Sequence, residues 1–257
     1  MMAEGESPKC VIKVNKLTLA YGDHIVLKDI SFEVSERKCL FVMGGSGCGK
    51  STLLKSMIGL LEPMHGDVAI NGTNLWDDES KMNLVLKEFG VLFQGGALWS
   101  SMTILENVAL PLETYTNLKD REIRDISRYK LSLVGLSGFE NHYPSQLSGG
   151  MKKRAGLARA LALDPKILFF DEPSAGLDPI TSKRLDDLII ELKESLGMTF
   201  VIVSHELASI FDVADDAIFL DAETRTLLDQ GDPTSLLANS KHPEVIDFLN
   251  RNESSID

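Results

Sequence analysis

The stretch Gly44–Ser51 reads GGSGCGKS, and its reading decides the fold. Missing Cβ atoms at Gly44, Gly45, Gly47 and Gly49 let successive backbone N–H groups converge on phosphate oxygens at a helix N-terminus. Lys50 follows, placed to reach the terminal phosphates, and the Ser51 hydroxyl can ligate magnesium. The flanks match that use. KCLFVMG (38–44) reads as a strand, and GKSTLLKSMIGLL (49–61) spaces Leu53, Leu54, Met57, Ile58 and Leu61 along one helical side before Pro63 closes it. A strand that runs through a glycine-rich turn into a helix is the context a nucleoside triphosphate cradle requires.

Upstream, the alternation in CVIKVNKLTLAYG and the run IVLKDISFEV give two further strands, so the chain is predicted to begin as sheet. Downstream, DVAING and GVLFQ read as strands, and the pattern then turns helical over roughly 97–164. TILENVALPL opens that insert with a Thr103/Glu106 capping box, LKDREIRDISRYKLSLVGL ends near Gly135, and GGMKKRAGLARALAL stops before Pro165. Strand-like KILFFD, MTFVIVSH and DAIFLD then alternate with helical PITSKRLDDLIIELKESLG and ELASIFDVA, which predicts a mainly parallel α/β core. ILFFDE supplies the second half of a phosphate site: Asp171, at the end of a buried strand, can hold magnesium, and Glu172 can take a proton from an attacking water.

Bulk properties exclude several classes. The 257 residues are 44% hydrophobic and 25% charged, an ordinary globular composition. The longest apolar runs fall well short of the roughly 18 residues a membrane-crossing helix needs. MMAEGESPKC has neither a secretory nor a transit pattern, so residence in the cytoplasm is expected. Cys10, Cys39 and Cys48 form no CxxC or Cys/His cluster, and neither disulfides nor zinc are expected. A net charge of −12 argues against general attraction to nucleic acid or anionic lipid. Cys48, inside the phosphate loop, is expected to react with a bulky thiol reagent that blocks nucleotide, with ATP protecting it.

A second glycine-rich stretch, LSGGMKKR, spans Leu147–Arg154. Ser148 is a good N-cap, and Gly149 and Gly150 expose amides at a helix start, again an anion site. Alone, it reads equally well as a capped helix with Lys152, Lys153, Arg154 and Arg159 on a solvated or salt-bridged face. Order along the chain decides. The phosphate loop, then Gln94, LSGGM, ILFFDE, SAGLD and VSHE closely resemble the nucleotide-binding subunits of ATP-binding cassette (ABC) transporters over almost the whole chain.

That resemblance implies the P-loop NTPase, ABC ATPase fold: a RecA-like core (8–96 and 165–240), an N-terminal antiparallel β subdomain, an inserted α-helical subdomain (97–164) and a short C-terminal helix (241–252). By position, Tyr21 resembles the aromatic that stacks on adenine. Gly44, Gly45, Ser46, Gly47, Cys48, Gly49, Lys50 and Ser51 form the Walker A loop, and Thr52 helps to bind phosphates. Gln94 resembles the residue that senses magnesium and links the site to the membrane subunit. Ser148, Gly149 and Gly150 resemble the signature loop, Asp171 the Walker B magnesium ligand and Glu172 the general base. Asp178 matches the loop that touches an opposing subunit, and His205 the contact to the terminal phosphate. Met151 departs from the glutamine many members carry, and the backbone anion site survives that change.

In this family the signature loop of one subunit closes on ATP held by the other, which implies a head-to-tail homodimer using ATP and Mg²⁺. FQGGALWSSMTILENVALPL, LSGGMKKRAGLARAL and DEPSAGLDPITS together resemble the ATPases of bacterial Mla-type lipid-transport systems that serve MCE-domain proteins. The likeness implies integral-membrane permease partners, an MCE-domain protein within the complex, and a place on the cytoplasmic face of the inner membrane. Leu98, Trp99 and Met102 would then either receive a permease helix or seal the join to the helical lobe. Other readings are a cassette for another solute and a non-transport cassette in DNA repair, chromosome organisation or translation. A small-molecule P-loop kinase leaves LSGG and His205 unexplained.

Overall fold

The structure, a computed structural model, describes residues 9–250. Among these residues two sheets form. Strands β1 (Cys10–Tyr21) and β2 (His24–Ser35) make a long hairpin that continues through β4 (His65–Ile70) to β5 (Thr73–Asn74), all antiparallel, in the order β2-β1-β4-β5. The third N-terminal strand of the sequence reading, β3 (Cys39–Gly44), leaves this sheet for the other one. All six of its residues are buried, whereas β1 mixes buried and exposed positions as a sheet with one wet face does.

The second sheet runs β10 (Leu227–Gly231), β9 (Asp216–Leu220), β3, β8 (Thr199–Val203), β7 (Ile167–Asp171) and β6 (Phe89–Leu92). Only β10 is antiparallel to its neighbour. Its strands are covered on both faces. Cys39, Phe41 and Met43 enter one apolar cluster with Leu168 and Phe170, and Leu40 and Val42 enter the other with Ile167 and Phe169. Period-two alternation therefore sorts each strand between two cores rather than between core and water.

Helix α1 (Lys50–Met57) follows the glycine turn, and its ladder ends at Ile58 and Gly59, whose φ of 77° no helix accommodates. The short α2 (Glu79–Val85) starts on an Asp78 cap. Helix α3 (Ile104–Tyr115) carries the expected box: the Glu106 N–H donates to Thr103 Oγ1 at 3.3 Å, and the Thr103 N–H to Glu106 Oε2 at 2.7 Å. It packs against α4 (Asp120–Leu133) and α5 (Gly149–Ala160). Helix α6 (Pro179–Leu196) lies beside α7 (Leu207–Val213), and α8 (Pro233–Asn239) beside α9 (Pro243–Leu249). The C-terminal helix expected over 241–252 thus spans a shorter interval, and residues 251 and 252 lie outside the described part of the chain. Sequence reading misses α2, β5, β10 and α8; β5 spans two residues, and β10 has no fully buried position to mark it as a strand.

Two close approaches position the later elements. Gly90 in β6 faces α5, where a Cβ would stand 2.2 Å from the Ala160 carbonyl oxygen. Between α6 and α7, Ser209 Oγ donates to the buried Asp186 carboxylate at 2.8 Å, and burial pushes that carboxyl up to about 6 despite the bond.

Gly90→Ala is expected to cost about 1–3 kcal/mol through overpacking, measured as a lower urea midpoint; an unchanged midpoint would show that α5 can move away. Because the folded pKa of Asp186 lies above its unfolded value, the stability it contributes is present at low pH and is lost as pH rises through about 6. Asp186→Asn should therefore stabilise the protein at pH 8, with a gain that shrinks toward pH 4. A gain equal at both ends would contradict this sign.

Candidate nucleotide-binding site

Parallel register puts the chemistry on one edge. Asp171 pairs with Val203, Leu92 with Phe170, Val42 with Val203 and Gly44 with Leu220, so β3, β6, β7, β8 and β9 end nearly level. Beyond carboxyl ends of a parallel sheet is where ligand crevices form. There, a cleft of about 610 Å³ is lined by Gly44, Gly45, Ser46, Gly47, Gly49, Lys50, Ser51, Thr52, Gln94, Glu172 and His205, with Val26 and Phe248.

The loop shape depends on glycine where the backbone demands it. At Gly44, φ is 143° and a Cβ would lie 2.3 Å from the Leu220 carbonyl oxygen. Gly49 caps α1 at φ 101°, its virtual Cβ 2.9 Å from Leu27. Lys50 Nζ donates to the Gly44 and Gly45 carbonyls at 2.8 and 2.9 Å, folding the loop around the ammonium. An ammonium has three donors, and the third has only a weak 3.9 Å contact with Cys48 Sγ, which leaves it for a stronger acceptor such as phosphate.

Across the cleft, His205 Nδ1 stands 2.9 Å from the Glu172 carboxylate, with hydrogen-bond geometry to Oε1 alone. Oε2 is buried and has no hydrogen-bond partner. Glu172 itself sits at φ 50°, an uncommon conformation for a residue with a side chain, held by its N–H donating to Val203 O at 2.9 Å. Glu172 lines the same cleft as the glycine loop, so its carboxylate stands where a general base would be needed.

Ser51 Oγ donates to Asp171 Oδ1 at 3.1 Å. This hydroxyl and carboxylate, with the Gln94 amide that lines the same cleft as Ser51, are hard oxygen donors that fit a small divalent cation. Among the described residues no cluster of three or more His, Cys, Asp or Glu could hold a metal by itself. Such a cation would take its other ligands from phosphate and water.

Other sequence-predicted residues fall elsewhere. Tyr21 ends β1, 50% exposed, and does not line the cleft. Cys48 points inward at 2% exposure, and burial pushes its thiol above the ordinary range, so the expected reaction with bulky thiol reagents is corrected: the group is neither accessible nor readily ionised. Ser148 accepts from the Met151 N–H at 3.3 Å and caps α5, and with Gly150 it borders a separate hollow of about 200 Å³. Gly149 begins that helix. Asp178 caps α6, its carboxylate accepting from the Thr181 N–H at 3.1 Å, and this bonding to Thr181 holds its pKa low. The second glycine loop and Asp178 therefore line no part of the first loop's cleft.

Comparison with known proteins matches the ABC transporter family model over residues 27–175. The chain belongs to the ABC transporter family. It is 42% identical over 240 residues to the probable ribonucleotide transport ATP-binding protein mkl of Mycobacterium tuberculosis, matching 93% of this chain but 66% of that protein's length. The intermembrane phospholipid transport system ATP-binding protein MlaF of Escherichia coli is 38% identical, over 93% of this chain and 88% of its own. Among solved structures, cbiO1 from Clostridium perfringens, part of the ABC transporter complex cbiONQ, aligns with a TM-score of 0.81 at 27% identity, covering 94% and 95% of the two chains. A dimeric ATP-binding cassette in a post-hydrolysis state bound to ADP and Pi aligns at 0.78 with 31% identity, covering 86% and 98%. The fold is that of an ABC ATPase cassette.

Within this cassette, two supports escaped the sequence reading. Arg159 donates to the Ala97 and Gly96 carbonyls at 2.7 and 2.9 Å, clamping the segment after Gln94 onto α5. Buried Asn107 accepts from the Trp99 N–H at 2.7 Å and donates to the carbonyls of Trp99, Met102 and Thr103. Neither contact is to a charge, so charge patterning could not reveal it. The pair Gly95-Gly96 was the available signal: Gly96 lies where a Cβ would meet the Lys152 carbonyl at 2.8 Å.

In the folded chain, a thiol-reactive dye should label exposed Cys10 well before Cys48. Peptide mapping of labelled sites checks this, and equal rates without denaturant would contradict the buried placement.

Proposed function

We propose that this chain is the ATP-binding and ATP-hydrolysing subunit of a membrane transporter, working as a head-to-tail homodimer. The observation that carries the reading is the Glu172–His205 pair, 2.9 Å apart, lining the same cleft as the Gly44–Thr52 amides. Loop amides and the free Lys50 donor bind the β- and γ-phosphates. Ser51, Asp171 and Gln94 would hold Mg²⁺, which supplies charge neutralisation on the phosphate oxygens when bound. The Glu172 carboxylate accepts the proton of the attacking water, and His205, oriented by that carboxylate, contacts the γ-phosphate. Tyr21 would stack on adenine from the open end.

Ser148, Gly149, Gly150 and Asp178 lie off this cleft, and a second copy would bring its own set to close the nucleotide. Opening and closing of that sandwich would drive the partner. Helical segment 97–164 is proposed to move as a subdomain in that cycle, with Trp99, 59% exposed, as the docking point for a permease helix. That exposure favours docking over a seal. Among the described residues no helix is long and apolar enough to cross a membrane, so attachment to the cytoplasmic face of the inner membrane would be through the permease.

For cargo, phospholipid moved between inner and outer membranes with an MCE-domain protein is the better-supported reading. This chain spans 88% of the Escherichia coli phospholipid-system protein against 66% of the mycobacterial ribonucleotide-named one. The higher identity of the latter, 42%, favours ribonucleotide as the second reading.

Glu172→Gln should bind ATP normally and lose roughly 10²–10⁴-fold in turnover while accumulating as a closed dimer; full turnover would remove Glu172 from its role. Mass spectrometry of material co-purified from gently solubilised host membranes should find a permease, an MCE-domain protein and glycerophospholipid. A permease without either of the other two would overturn the lipid reading.

A further inference from the structure

Helix α5 carries a cation that the chemistry above does not use. Lys153 is 5% exposed, and its Nζ donates to the Ala175 carbonyl at 2.5 Å. Burial holds its pKa below the ordinary lysine range, opposed by the charges of Glu172 and then Glu206. Methionine would fill similar volume without the cost of desolvating an ammonium, so packing alone does not account for lysine here.

Its acceptor is the informative part. Ala175 lies midway between Glu172 and Asp178, in a loop tightened by the Ala175 N–H donating to Glu172 O at 3.3 Å and the Leu177 N–H to Ser174 O at 3.0 Å. One end of that loop is Glu172 at φ 50°, and the other caps α6. The same α5 begins at Ser148 and clamps Gly96 and Ala97 through Arg159. A single helix therefore touches the loop of the general base, the segment after Gln94 and the second glycine loop.

We propose that Lys153 is a positioning residue for hydrolysis: by holding the Ala175 carbonyl it fixes loop 172–178 to α5, so that Glu172 and Asp178 move with the signature loop. Lys153 does not line the nucleotide cleft and acts through Glu172. The proposal rests on the ATPase reading above.

The test compares wild type, Lys153→Met, Lys153→Arg and Glu172→Gln with ATP and Mg²⁺. Lys153→Met should lower kcat roughly 10- to 100-fold with KM for ATP and the thermal midpoint unchanged. Amide exchange should accelerate at Ala175 to Leu177, and Lys153→Arg should recover most of the rate. Wild-type kcat in folded Lys153→Met overturns the proposal, as does a loss of kcat matched by a general loss of stability with no exchange change confined to the loop. If the methionine variant does not fold, Lys153→Gln decides by the same readings. If wild type itself turns over no faster than Glu172→Gln, the ATPase reading fails instead.

Discussion

Parallel pairing of β3 between β8 and β9 is the constraint on which the rest depends. It fixes the level at which Gly44 leaves the sheet, and through the shared register it fixes Asp171, Val203 and Leu92 at the same edge. The phosphate loop, Glu172, His205 and Gln94 come from four separate parts of the chain, yet each is only one or two residues beyond a strand whose length is set by burial on both faces. A shift of register by one residue would exchange the two cores and turn the apolar set of β3 inside out.

Most of this was legible because the signals were strong and local. GGSGCGKS names a backbone geometry as well as a chemistry, and the structure supplies the reason at Gly44, where no Cβ fits beside Leu220. ILFFD had to be a buried strand, and the Thr103/Glu106 box had to open a helix. The departure of β3 from the N-terminal hairpin was not legible in that way, since an apolar strand fits either sheet and only its pairing partners, some 160 residues away in β8, decide.

Side chains that act through backbone carbonyls were the least legible. Lys153 and Arg159 read as a surface face because charge suggests water or a carboxylate. Instead, both reach main-chain oxygens of neighbouring loops. Cys48 misled in the opposite sense: its place in a phosphate loop suggests access, whereas the same turn that exposes the amides drives its Sγ into the core. Backbone direction and side-chain direction part company in a tight turn, and sequence records only the residue.

The division of labour between the two glycine loops is what would tie structure to function, since one lines the cleft at the carboxyl edge of the sheet and the other stands apart from it in the same chain. Mixing two inactive variants, Lys50→Ala and Ser148→Arg, and measuring ATP hydrolysis tests that division most directly. If each site is built from the phosphate loop of one copy and the signature loop of the other, the mixed dimer retains one intact site and activity returns. If both loops serve the same site within one copy, every site in the mixture is damaged, and hydrolysis stays at the level of the separate variants.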